Sequence, residues 1–183
     1  MIGERMIVAR KMGWAWLVKL AICVGLAYVL ALSAQVRAAV PFSPVPVTGQ
    51  TFVVLLIGAL LPWRLSLTTL GLYLIAGSLG LPFFAGGTLV GPTGGYLLGF
   101  VACAYIVNAL MVKGWGRLPH TALLALLIGN VFIYVVGLPW LALFVDTRNV
   151  PALGLFPFIV GDVFKLICAS GIVVGWHLVP LQE

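Results

Sequence analysis

The sequence predicts an all-α membrane protein: a six-transmembrane-helix bundle with both termini cytoplasmic. Three observations carry that prediction. The 183 residues are 63% hydrophobic and 8% charged, against roughly 45–50% and about 25% in soluble domains. Apolar runs able to cross a hydrocarbon core of about 30 Å recur along the chain. The few charges fall at the ends of those runs, where topology signals belong. Ten basic and four acidic side chains cannot cover a water-facing surface. A soluble globular enzyme, a disordered tail and a secreted disulfide scaffold are therefore excluded. Residues 1–183 read as one integral membrane domain in contact with the lipid bilayer.

The first span, residues 15–36, follows Arg5, Arg10 and Lys11. Trp14 and Trp16 suit the interface, and Lys19 can snorkel towards it. The run ends in Ala31-Leu32-Ser33-Ala34, which imitates a signal cleavage site. It is longer than the roughly 7–15 residues of a signal core, and more membrane sequence follows, so it reads as a retained helix. Three prolines, Pro41, Pro44 and Pro46, then prevent a regular helix. The second span, 50–63, is short, and is expected to pack inside protein or over a thinned bilayer. Spans 65–83, 95–112, 121–144 and 151–178 complete the bundle.

Basic residues set the orientation. The cytoplasmic ends would hold Arg5, Arg10, Lys11, Lys19, Arg64, Lys113 and Arg117, and the outer connections only Arg37 and Arg148. The net charge of +6 is spent on this asymmetry. No basic face with interleaved aromatics points to nucleic acid.

Only two charges lie deep in an apolar segment. Asp162 and Lys165, three residues apart in Gly161-Asp162-Val163-Phe164-Lys165, share a helix face. Each is costly alone at membrane depth. Two readings stand: a structural ion pair, or a polar site for a solute. The glycine-rich connection 81–96 carries no charge. Gly91, Gly94 and Gly95 permit close backbone approach, and a helix opening at Gly94 would offer unpaired N–H donors to an anion beside Thr93. A plain outer turn is the alternative. Asn130 and Tyr134 share a face of the fifth span, Gln50 heads the second and Asn108 lies in the fourth; each can be interhelical glue or a ligand contact.

Ala27, Ala31 and Ala34 on the first span form small-residue patterns suited to close helix contact, within the bundle or with another protein. Cys23, Cys103 and Cys168 sit inside apolar runs and read as core residues. His120 and His177 lack companions at metal-ligand spacing, so no metal is expected. The serines lack a buried base partner, so no catalytic residue is assigned. Without a phosphate-binding Gly-rich loop followed by Lys and Ser or Thr, the chain itself does not hydrolyse ATP. A small membrane enzyme using Asp162 and Lys165 as an acid–base pair stays open as a rival.

Three segments, taken together, resemble the BioY family, the biotin-specific substrate-binding S component of energy-coupling factor transporters. They are Pro44-Val45-Pro46-Val47-Thr48-Gly49-Gln50-Thr51; Gly80-Leu81-Pro82-Phe83-Phe84-Ala85-Gly86-Gly87 with Gly91-Pro92-Thr93-Gly94-Gly95-Tyr96; and Gly161-Asp162-Val163-Phe164-Lys165. The resemblance covers about residues 31–170. Thr88-Leu89-Val90 is shorter than the insertion many members carry there, so contacts from that insertion do not transfer. The resemblance implies a prokaryotic cytoplasmic-membrane protein that takes up biotin and needs no cofactor. In that setting Asp162, Lys165 and Asn130 would meet the ureido group, and Tyr96 would cover the bicycle. Gln50 would belong to the same binding set, and the carboxylate would sit near Gly91, Thr93, Gly94 and Gly95. A membrane coupling subunit and ATPase subunits would supply energy, with Ala27, Ala31 and Ala34 as the docking face; self-association is the alternative. A different small vitamin is the nearest rival ligand.

Overall fold

The computed structural model describes residues 2–85 and 87–178, with side chains described from residue 15 onward. The side chains of Arg5, Arg10, Lys11 and Trp14, and the whole of Gly86, lie outside that description. Helix α1 (Ile2–Gln35) contains the apolar stretch Ala15–Gln35, which is long enough to cross a membrane. Helices α4 (Gly94–Val112) and α5 (Pro119–Leu141) are too, as is the segment Thr147–Leu178. Between α1 and α4 lie two shorter helices. α2 (Gln50–Leu60) has 11 residues, about 16 Å of helix and well short of a bilayer core. α3 (Trp63–Ser78) has 16. Val54 and Leu55 of α2 are fully buried, so this helix is held by protein rather than by lipid. The chain is a multi-pass membrane bundle.

Helix ends depart from the expected spans for local reasons. α2 stops at Leu60 rather than at residue 63, because Leu61, which precedes Pro62, is extended with ψ 148°. α3 stops at Ser78 rather than at Phe83. Gly80 adopts φ +89° there, and the N–H groups of Gly80 and Leu81 turn back to the carbonyls of Gly77 and Ala76. Such a left-handed glycine satisfies the last carbonyls and ends the helix. α5 ends at Leu141, with Pro139 in its last turn.

The sixth expected span is two helices, α6 (Val150–Gly154) and α7 (Phe156–Leu178), broken at Leu155. Pro157 has no N–H to give the Leu153 carbonyl. Ser43 Oγ donates to that carbonyl instead, at 2.6 Å, and Tyr96 Oη donates to the next one, Gly154 O, at 2.9 Å. The chain is also not purely α. A two-residue antiparallel ladder, β1 (Arg37–Ala38) with β2 (Val47–Thr48), closes the proline-rich connection, with Arg37 opposite Thr48.

Ala27, Ala31 and Ala34, the expected docking residues on α1, are 3%, 4% and 0% exposed. Their spacing puts them on one face of α1, and α1 packs against α3 and α2 of its own bundle. Small side chains bring these helices close. The outward face carries Leu17, Val18, Ile22, Val24 and Leu32 to lipid.

Candidate ligand-binding site

A cavity forms among the proline-rich connection, the start of α2, the glycine-rich connection, the start of α4, the second half of α5 and the start of α7. Its walls include Val45, Pro46, Gln50, Phe84, Thr93, Tyr96, Phe100, Asn130, Tyr134, Phe158 and Asp162. Its volume is about 550 Å³ counted out to the opening. The walls are mostly apolar, with a few polar groups converging on one region, as small-molecule sites usually are.

Asp162 is the polar centre. It is 5% exposed, and two elements satisfy it. From α5, Asn130 Nδ2 donates to Oδ2 at 2.9 Å and Tyr134 Oη donates to the same oxygen. From its own helix, Lys165 Nζ lies 3.2 Å from Oδ1. A buried carboxylate requires such donors, since an unpaired charge in apolar surroundings is very costly. The carboxylate, which only accepts, also fixes the amide of Asn130: its NH2 must face Asp162, which leaves Oδ1 over. That oxygen is buried and has no hydrogen-bond partner. A buried acceptor without a donor loses its hydration uncompensated. Thr93 Oγ1 is unpartnered in the same way.

Gln50 is held by a second network. Thr48 Oγ1 donates to Gln50 Oε1 at 3.0 Å, Gln50 Nε2 donates to Tyr73 Oη, and Tyr73 Oη donates to the Phe83 carbonyl at 3.1 Å. The glycine-rich connection is thus tied to α2 and α3. It is also tied to α5, where Trp140 Nε1 donates to Gly91 O at 3.0 Å. Three rings form a cluster at one wall: Tyr96 stacks on Phe158 at 6.3 Å between centroids, and Tyr134 stands edge-on to both. The three rings pack on one another and give the cavity one apolar aromatic wall.

Of the residues singled out from sequence, Asp162, Asn130, Tyr96, Gln50 and Thr93 line the cavity, and Lys165 does not line it but pairs with Asp162. Gly91, Gly94 and Gly95 do not line it either. A Cβ at Gly94 would collide with the Leu89 carbonyl oxygen, and one at Gly95 with the Trp140 side chain. These glycines admit the protein's own neighbours rather than a ligand. Asn108 lies elsewhere, donating through Nδ2 to Leu61 O at 2.7 Å. Sequence reasoning missed the walls Val45, Phe84, Phe100 and Phe158, and Tyr134, which it left between interhelical glue and ligand contact, lines the cavity beside Asn130. Among the described residues, no cluster of three His, Cys, Asp or Glu is placed to hold a metal ion.

Fold and site together define a multi-pass membrane protein built to hold a small, partly polar solute. The BioY family's sequence model matches residues 7–180. The chain belongs to the BioY family. It is 35% identical over 156 residues to a probable biotin transporter BioY of Pyrococcus horikoshii, covering 82% of this chain and 91% of that one. It is 36% identical over 141 residues to the biotin transporter BioY of Thermotoga maritima, covering 72% and 80% respectively. In structure it resembles a crystal structure of the S-component for biotin from an ECF-type ABC transporter. The TM-score is 0.78 at 22% identity, covering 89% of this chain and 92% of that one. At that identity the likeness speaks for the fold.

Proposed function

We propose that this chain captures biotin and carries it across the cytoplasmic membrane of a prokaryote as the S component of an energy-coupling factor transporter. Family membership supports the ligand class, and one observation in the cavity carries the chemistry. The Asp162 carboxylate lies beside an Asn130 Oδ1 that has no donor. Biotin's ureido group brings two N–H donors and one carbonyl acceptor. Its donors suit Asp162 and Asn130 Oδ1; the one Tyr134 hydroxyl proton is already given to Asp162, so the candidate donor to its carbonyl is Lys165, whose ammonium keeps N–H donors beyond its bond to Asp162. The fused bicycle suits the aromatic wall that Tyr96, Tyr134 and Phe158 form. Asp162 lies about 9 Å along α7 from that helix's start, whereas Thr93 immediately precedes α4. The carboxylate tail therefore belongs at the Thr93 end, where an unpartnered hydroxyl can donate to an anion.

Selectivity follows from the same groups. A ligand lacking the ureido N–H donors leaves the buried Asn130 Oδ1 unsatisfied, and sites with unpaired polar groups reject the wrong ligand. The chemistry is binding without bond-making. Energy for release comes from coupling and ATPase subunits that dock on the bundle. Six crossings with both termini cytoplasmic are consistent with Arg64, Lys113 and Arg117 at one end of the bundle and Arg37 and Arg148 at the other. Equilibrium binding of radiolabelled biotin to purified protein tests the proposal. Saturable binding that excess biotin displaces, and that thiamin or riboflavin does not, supports it. Absence of saturable binding contradicts it.

A further inference from the structure

A second concavity lies between the start of α3 and the last turns of α4, far along α4 from the cavity that Tyr96 lines. It holds about 720 Å³ counted out to its open side and is lined by Trp63, Tyr105, Asn108, Ala109, Val112 and Lys113. Trp63 and Tyr105 are about half exposed, and such amphipathic rings concentrate at the membrane–water boundary. The Arg64 guanidinium stands over the Trp63 ring, 5.3 Å from its centroid, at the edge of the groove. Two cations therefore meet at one interfacial hollow. Neither has a carboxylate: among the described residues the ion pair is Lys165 with Asp162, and Asp146 caps the turn after α5 by accepting from Arg148 N. The polar floor is held too, since Asn108 is fixed by its bond to Leu61 O. Apolar walls continue along Tyr105 and Val112, which is 79% exposed.

We propose that this groove binds one anionic phospholipid, its phosphodiester between Arg64 and Lys113 and its acyl chains along Tyr105 and Val112. Charge complementarity selects the occupant. A zwitterionic headgroup brings its own cation and gains little, whereas an anionic one supplies a counter-charge that the described residues do not place in the groove. A soluble anion lacks the apolar part that matches the aromatic and valine walls.

Native mass spectrometry of the full chain with equimolar phosphatidylglycerol and phosphatidylcholine tests this. Phosphatidylglycerol adducts should exceed phosphatidylcholine adducts by roughly tenfold in the unaltered protein and fall to about parity in R64Q/K113Q. Arg117→Gln, which removes a neighbouring cation outside the groove, should keep the preference. Biotin binding in each variant reports that the fold is intact, and Lys113→Glu alone should also bring the adducts to about parity without touching Arg64. Equal adduct levels in the unaltered protein overturn the proposal, as does an unchanged preference in R64Q/K113Q. Displacement of the lipid by millimolar inorganic phosphate also overturns it, because the groove would then read the anion alone.

Discussion

Asn130 donates its amide to Asp162 Oδ2 at 2.9 Å, and that bond leaves Asn130 Oδ1 buried without a partner. The carboxylate thus decides which way the amide points, and the amide decides what the cavity still lacks. A ligand entering here must bring N–H donors. Asn130→Ala removes the free acceptor and one donor to Asp162, and should weaken biotin binding about ten- to a hundredfold. Asn130→Asp should be worse, since a second carboxylate cannot donate to the first and repels it. Isothermal titration with both variants gives the order directly.

Tyr134 offers a finer test, because its hydroxyl and its ring do different things. Phenylalanine keeps the edge-on contact with Tyr96 and Phe158 but removes the donor to Asp162. Tyr134→Phe should weaken biotin binding by roughly ten- to a hundredfold, the worth of a hydrogen bond to a charged group. Tyr134→Leu should lose the ring contact as well and bind more weakly still. Equal affinity in the two variants would assign the whole effect to the hydroxyl.

The site was legible in the sequence where polarity contrasted with its surroundings. Asp162, Lys165, Asn130 and Gln50 stand out because each is polar in an apolar run. Phe84, Phe100 and Phe158 did not, because an aromatic wall and an aromatic lipid anchor look alike in a chain this apolar. Glycine misled for a different reason. A missing Cβ reports close approach without saying of what, and at Gly94 and Gly95 the neighbours are Leu89 and Trp140. The same ambiguity applies to Ala27, Ala31 and Ala34, whose close neighbours are helices of the same chain. The fold was legible as apolar runs. Their ends depended on Gly80, Pro62 and Pro157, and the Pro157 break depended on a distant serine taking the freed carbonyl.

Glycines in contrasting settings should therefore respond in opposite ways. Gly95→Ala drives a methyl into Trp140 and should lower thermal stability, by about 1–3 kcal/mol for overpacking. Gly171 and Gly175 on α7 have no atom within 4 Å of an added Cβ. Gly171→Ala should leave stability unchanged or raise it by up to about 1 kcal/mol through helix propensity. Melting temperatures in one detergent check the pair.

The buried alanines give a prediction that separates packing from docking. Ala31→Leu should strain the contact of α1 with its neighbours, lowering thermal stability and biotin binding together. Normal binding and stability with selective loss of uptake would mean that Ala31 faces a partner protein.

The wall-to-loop tether predicts a kinetic effect. Trp140→Phe frees the Gly91 carbonyl from its 3.0 Å bond and loosens the connection beside the cavity opening. Biotin should dissociate several-fold faster with little change in association, which surface plasmon resonance or filter-binding chase experiments resolve.

The central claim is that the Asp162 carboxylate receives a ureido N–H, and equilibrium biotin binding to the unaltered chain and to Asp162→Asn tests it most directly. The account predicts one saturable site per chain in the former and a loss of at least a hundredfold in the latter, with the variant still folded. Equal affinity in the two proteins would contradict it.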